Sequence, residues 1–484
     1  MLPRTPRSGN PRRGRRAAWV VAAFSALLLP VSVWLTAAGA PRSGTTAQRA
    51  DGAPPLNILL LVIDDTRWDA IGVAGNPTVR TPNLDRMAAD GVRFRNAFVT
   101  TSICMVSRAS MLTGQYMSRH GITAFGRPIP EAAWASTYPA QLRRAGYWTG
   151  FVGKFGVGTA RPADFDFLRS YEGKHWIADE NGQPVHVTET NAQDALAFLR
   201  TRPANQPFAL SVSFFAAHAE DAAPEQYLPQ PWSAEVYRGA TMPPPLRADA
   251  AHLSALPPFL QHPSNEGRIR FGWRFDTPAR YQDYLTRYYR LITEVDQAVG
   301  RLFDELRTQG VADTTLVVFI GDNGYFQADR GLADKWYPYE ESIRVPLLVR
   351  DPRLPASARG RVVDGTALNI DVAPTLVRAA GIPAPSVMQG EDLAAHYLNP
   401  SPPAPRDEFF YEHPTITSKD RIPTSLAVVR RDWKFIRWPE FDYEQLFDLT
   451  RDPGELRNLA GDPSSAARLD SARQRLAEWQ ARAR

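Results

Sequence analysis

LNILLLVIDD, residues 56–65, is the stretch on which the fold turns. Seven of its first eight residues are apolar. It shows none of the alternation of a half-exposed strand, so it reads as a strand buried on both faces. ALSVSFFA (209–216), TTLVVFI (314–320) and VPLLV (345–349) repeat the pattern. Helical patterns lie between them: PAQLRRAGY (139–147), NAQDALAFLR (191–200) and, most clearly, residues 280–308. There Tyr281, Leu285, Tyr288, Ile292, Val295, Val299, Leu302 and Leu306 recur every three or four residues and line one face. NIDVAPTLVRAAGIP (369–383) reads as one more helix, stopped by Gly381 and Pro383. Strands alternating with helices predict an α/β fold: a large, doubly wound, mostly parallel sheet sandwiched by helices.

The chain has 484 residues, 44% of them apolar, which is ample for a large core. Its formal charge of +5 is unevenly spread. The first 50 residues hold eight arginines and no acid, leaving a net charge of about −3 for residues 51–484. A basic nucleic-acid-binding surface is therefore not expected. The arginines precede an apolar run at 17–40 that ends in Ala38-Gly39-Ala40, so residues 1–40 read as a signal peptide or N-terminal anchor. The expected location is outside the cytoplasm: periplasmic, extracellular or, if the segment stays uncleaved, membrane-anchored. Residues 41–55 read as a linker, 56–400 as the main domain, and 401–484 as a smaller C-terminal antiparallel α+β subdomain. In the last, SLAVVR (425–430) and WKFIRW (433–438) form a hairpin pattern, and EQLFDL (444–449) a further strand. Residues 217–280 read as a long irregular insertion, a kind of loop that is often functional.

Two buried strands end in acids: Asp64-Asp65 after the first, Asp322-Asn323 after 314–320. Ligands of open α/β sheets bind at the carboxyl ends of strands, and three carboxylates with an amide suit a hard cation, Ca²⁺ or Mg²⁺. Either pair alone is also ordinary turn chemistry. The single cysteine, Cys104, lies in TSICMVSRASMLTGQY (101–116), among hydroxyls and Arg108, at the predicted start of a helix. A lone cysteine is usually a small buried hydrophobe. Here a helix N-terminus and an arginine make an anion site and are expected to lower the thiol pKa. Cys104 is thus a nucleophile candidate facing an anionic substrate.

The run at 101–116 resembles the sulfatase signature, Cys-x-Pro-Ser-Arg followed by Leu-Thr-Gly. Collinear matches extend through YPAQLRRAGYWTGFVGK (138–154), AAHAEDAAPEQY (216–227), GDNG (321–324), DKWYPYEESIRVPLLV (334–349) and FDLTRDPGELRNLA (447–460). The chain is identified as a member of the formylglycine-dependent sulfatases of the alkaline phosphatase superfamily. That resemblance implies a sulfuric ester hydrolase in which a maturase oxidises Cys104 to formylglycine, whose hydrate attacks sulfur. It implies Ca²⁺, ahead of Mg²⁺, on Asp64, Asp65, Asp322, Asn323 and the modified Cys104. Arg108 and Lys154 would stabilise the formylglycine; His218 and Lys335 would grip the sulfate. The implied substrate is a sulfated small molecule or glycan. His120, His175 and His413 are secondary candidates for substrate contact. A phosphomonoester or phosphonate hydrolase on the same scaffold, and a sulfated-glycan binding protein without turnover, are the alternatives.

Two residues depart from the pattern. Val106 stands where the signature has Pro. Gly156 stands where the family's Gly-Lys-x-His segment carries the histidine that expels sulfate. The second departure leads to the expectation of a slow second step, and of a gain in turnover if histidine is restored at 156.

Overall fold

The computed structural model describes residues 55–484; the expected signal or anchor, and all but the last residue of the linker, lie outside that range. Its main sheet has eight strands: β1 (Asn57–Ile63), β2 (Val92–Phe98), β3 (Trp148–Gly153), β4 (Phe167–Ser170), β5 (Phe208–Ser213), β6 (Thr315–Gly321), β7 (Leu347–Arg350) and β8 (Arg361–Leu368). Their spatial order is β8-β2-β7-β6-β1-β5-β3-β4. Every residue of β1 is buried, as is every residue of β5 and β6. The runs without alternation are therefore the centre of the sheet, where helices cover both faces. β1 pairs in parallel with β5 and β6. The strand from VPLLV, β7, runs antiparallel to both β2 and β6, so the sheet is mostly and not wholly parallel.

The longer helices include α1 (Cys104–Thr113), α2 (Val187–Thr201), α3 (Glu266–Arg274), α4 (Pro278–Thr308) and α5 (Ala466–Ala483). α4 starts at Pro278, capped by the Thr277 side chain, where a missing N–H costs nothing. Its apolar stripe is buried along its length, from Tyr281 to Leu306. The insertion expected to be irregular holds the short helices Ala250–Ser254 and Pro258–Gln261 as well as α3. Prolines every few residues keep these pieces too short to show a period.

A second sheet is antiparallel, in the order β9 (Glu408–His413), β10 (Ser425–Arg430), β11 (Trp433–Trp438), β12 (Tyr443–Asp448). β10 to β12 are the strands expected from the sequence. β9, from EFFYEH, is wholly buried and has no alternation to reveal it. It packs onto the main sheet through Phe409 against Phe98 at 5.0 Å, and onto the segment after Cys104–Thr113 through Phe410 against Tyr116 at 6.0 Å.

Candidate active site

The carboxyl edge of the main sheet delivers the charged residues to one place. β1 ends at Asp64-Asp65, β6 at Asp322-Asn323 and β3 at Lys154, while His218 follows β5. The backbone stitches these ends together. Asp64 N–H donates to Ala216 O at 3.1 Å, Asp322 N–H to Ile63 O at 3.0 Å and Thr66 N–H to Asn323 O at 3.0 Å. Tyr288, on α4, donates its hydroxyl to Asp65 O at 2.7 Å. α1 begins at Cys104 and ends at Gly114, whose φ of +67° closes the helix. All ten of its residues are buried.

Asp64 is the hub. It accepts from Cys104 Sγ at 3.4 Å, Arg108 Nη2 at 3.0 Å and Lys154 Nζ at 2.5 Å. Arg108 also donates from Nε to Asp322 at 2.8 Å, and from Nη1 to Lys154 O at 2.6 Å and to Ser213 Oγ. Asp65 holds the other half: Asn323 Nδ2 donates to it at 2.6 Å, Lys335 Nζ pairs with it, and His218 Nε2 lies 3.6 Å from its Oδ2. Every residue expected at the site is thus drawn into one network. Ser213 is the member that sequence reasoning missed; its place at the end of a buried strand was the available signal.

The electrostatics are those of a crowded, dry cluster. Burial, then the charges of Asp64 and Asp334, push the Asp65 carboxyl up to about 7 against the pull of Lys335. Burial and Asp64 push Asp322 up to about 6. For Asp64 the pull of Lys154 and Arg108 outweighs burial and holds it well below the usual range. Burial, Lys335 and Lys154 lower His218 to about 4. The expectation of an activated thiol fails here. Burial first, then the neighbouring Asp64, push the Cys104 thiol up, and the pull of Lys154 and Lys335 does not overcome them. As an unmodified thiol, Cys104 is a poor nucleophile.

The donor set fits a divalent cation. Among the described residues, Asp64, Asp65, Cys104 and His218 each offer a ligand atom, and these atoms lie within 4.8 Å of one another. Asp65 Oδ2 and Asn323 Oδ1 are buried without a hydrogen-bond partner. Such orphaned oxygens among clustered carboxylates are what a hard cation would satisfy.

The secondary histidines stand apart from this network. His120 Nε2 bonds Ser110 Oγ at 3.1 Å and its Nδ1 accepts from Ile122 N–H. His413 Nδ1 donates to Pro414 O. His175 stacks on His186 and packs on Phe215, which His218 also touches, and it is near enough to His218 for their charges to oppose each other. Of the two departures, Val106 is the third residue of α1. First-turn N–H groups lack partners within a helix, so that turn accepts Val or Pro alike. Gly156 has a φ of +74°, and a Cβ built on it would lie 2.7 Å from Arg108 Cδ. Its N–H donates to Glu172 at 2.8 Å.

Residues 56–382 match the family model described as Sulfatase, and residues 328–482 match that of the N-sulphoglucosamine sulphohydrolase C-terminal region. An arylsulfatase of Clostridium perfringens is 28% identical over 86% of this chain and 92% of its own. An N-acetylglucosamine-6-O-sulfatase of Bacteroides thetaiotaomicron is 25% identical over 94% and 90%. Two solved structures share the fold. A protein in complex with its substrate D-glucosamine-2-N,6-O-disulfate superposes with a TM-score of 0.74, at 23% identity over 89% of this chain and 98% of its own. The phosphonate monoester hydrolase of Agrobacterium radiobacter superposes with a TM-score of 0.75, at 22% identity over 89% and 96%.

Proposed function

Because the chain belongs to the sulfatase family and is a sulfatase enzyme, we propose that it is an exported hydrolase that cleaves sulfate esters of a glycan at Cys104, after oxidation of that residue to formylglycine. One observation carries the reading: Asp64 and Asp65 gather Cys104, Arg108, Lys154, His218, Asn323 and Lys335 into one buried network at the sheet's carboxyl edge. The raised thiol supports modification, because a protonated, buried thiol has little to offer as a nucleophile. Support for a glycan comes from relatives named for glucosamine sulfates and from the C-terminal match. Support for export, by a maturase-accessible route, is the basic-then-apolar pattern of residues 1–40.

Asp64, Asp65, Asp322 and Asn323 would hold Ca²⁺, which when bound supplies positive charge to the sulfate oxygens and to the group at Cys104. The three carboxylates are otherwise balanced by Arg108, Lys154 and Lys335, so a divalent cation leaves the site net positive toward a sulfate ester. Arg108, tied by four acceptors, holds its guanidinium beside residue 104. Lys335 and His218 both lie against Asp65, and in this reading they would bind sulfate oxygens. His218 commits Nδ1–H to Ala219 O at 2.6 Å. A further proton on the ring therefore sits on Nε2, the atom from which a departing alcohol oxygen can take it.

The experiment is a paired one. Protein from its native host is assayed with a chromogenic aryl sulfate, the matching phosphate and a phosphonate monoester. Fastest turnover of the sulfate is expected. Faster turnover of either phosphorus ester would overturn the sulfate assignment.

A further inference from the structure

α3 ends in Arg274, which is fully buried. We propose that Arg274 is a positioning residue whose one guanidinium sets His218 and Lys335 at their working separation; this rests on the reading that those two bind sulfate. Its Nη2 donates to Asp221, three residues beyond His218, and its Nε donates to Gln226 Oε1 at 2.6 Å in the same loop. Its Nη1 donates to Asp334 Oδ2 at 2.7 Å, immediately before Lys335, and to Tyr325 Oη at 2.9 Å, immediately after Asp322-Asn323-Gly324. One planar fork thus joins the three segments that carry His218, the Asp322 pair and Lys335.

Lys335 needs such a hold. Its neighbours Asp334 and Trp336 have φ values of +72° and +84°. The left-handed region is costly for residues with side chains and persists only where the surroundings enforce it. The Asp334 side chain is enforced by Arg274 and, at 3.8 Å, by Arg270. With Nε, Nη1 and Nη2 all committed to protein acceptors, Arg274 acts through the residues it holds and not on substrate. The 217–280 insertion then has a definite role: it carries His218 near its start and returns Arg274 near its end to lock that residue against Lys335.

Arg274→Lys keeps the charge and loses the fork. Turnover of a chromogenic aryl sulfate, and the affinity for inorganic sulfate by calorimetry, are measured in R274K, K335A and the double variant. R274K is expected to weaken sulfate binding and to lower kcat/KM about 10²-fold, the scale of a misplacement near 1 Å. In the K335A background it should cost far less, because residues of one network are not additive. Asp221→Asn, at a partly exposed position, loosens the His218 arm by weakening the hold of both Arg274 and Arg270 on Asp221, and keeps the Arg274–Asp334 pair; it should weaken sulfate binding severalfold. Losses that multiply in the double variant, or wild-type sulfate affinity in both R274K and D221N, would overturn the proposal. If K335A alone leaves sulfate affinity and turnover intact, the reading of the site fails first. If K335A is impaired while R274K is not, only the positioning role fails.

Discussion

A Cβ on Gly156 would meet Arg108 Cδ at 2.7 Å, and the residue's φ of +74° strains any side chain placed there. Both facts oppose the simple idea that restoring a histidine improves the enzyme. Arg108 bonds Asp64, Asp322, Lys154 and Ser213, so a push on its Cδ is felt across the network. Gly156→His is therefore expected to lower kcat/KM about 10²-fold and to destabilise the protein by about 1–3 kcal/mol. Gly156→Ala should show a milder loss, since the clash begins at Cβ. Steady-state kinetics and melting curves check this; a faster Gly156→His would show that Arg108 can yield and that a base is what the site lacks. The absence of histidine was plain in the sequence, but its consequence was not, because it depends on a backbone angle and on which side chain lies over residue 156. Cys104 teaches the same point. Its neighbours in sequence, Arg108 and a helix start, suggested an acidic thiol; its neighbour in space, Asp64 at 3.4 Å, and its burial reverse the sign.

Elements were legible where a period or an unbroken apolar run marked them. The 280–308 pattern corresponds to α4, and three of the four apolar runs correspond to the fully buried strands β1, β5 and β6. β9 and the helices of the 217–280 insertion were not legible, the first for want of alternation, the second for want of length. α4 also carries an element-scale prediction. Its Glu294 is buried, accepts from Gln230 N–H and Ser233 Oγ at 2.6 Å each, and lies 3.7 Å from His186 Nε2. Burial raises its carboxyl from 4.5 to about 7, those hydrogen bonds opposing. The folded pKa thus lies above the unfolded one. The stability gained by keeping this proton is full below pH about 4.5, declines as the pH rises toward 7, and is lost above. Asp296, raised to about 6 by burial, shifts in the same direction. Glu294→Gln removes only the Glu294 share. Its melting temperature should match wild type at pH 4 and exceed it at pH 8, by the equivalent of about 3 kcal/mol. Parallel curves at all pH values would contradict the assignment.

At the scale of the molecule, the site is where separate parts of the chain are cross-braced. Asp64 and Asp322 come from adjacent strands 258 positions apart in sequence, counted from Asp64, and β9 reaches the same region through Tyr411, whose hydroxyl donates to Trp336 O at 2.8 Å. A cation bound only by the folded chain therefore stabilises the whole, by about 2.7 kcal/mol at a concentration of 100 Kd. Chelation is expected to abolish turnover and to lower the melting temperature, and added Ca²⁺ to restore both. A melting temperature indifferent to chelator and to Ca²⁺ would argue against a metal on Asp64, Asp65, Asp322 and Asn323. The acidic strand ends were readable as a metal set because strand ends converge in any sheet of this class. Arg274 and Asp221 were not, since nothing local in the insertion says which loops a buried arginine will join. Catalysis through a modified Cys104 is tested by the mass of the Cys104 peptide from protein made in its native host. After digestion and hydrazide trapping, an aldehyde at residue 104 captured by the hydrazide is expected. A peptide carrying only the unmodified thiol, from protein that nonetheless turns over aryl sulfate, would contradict it.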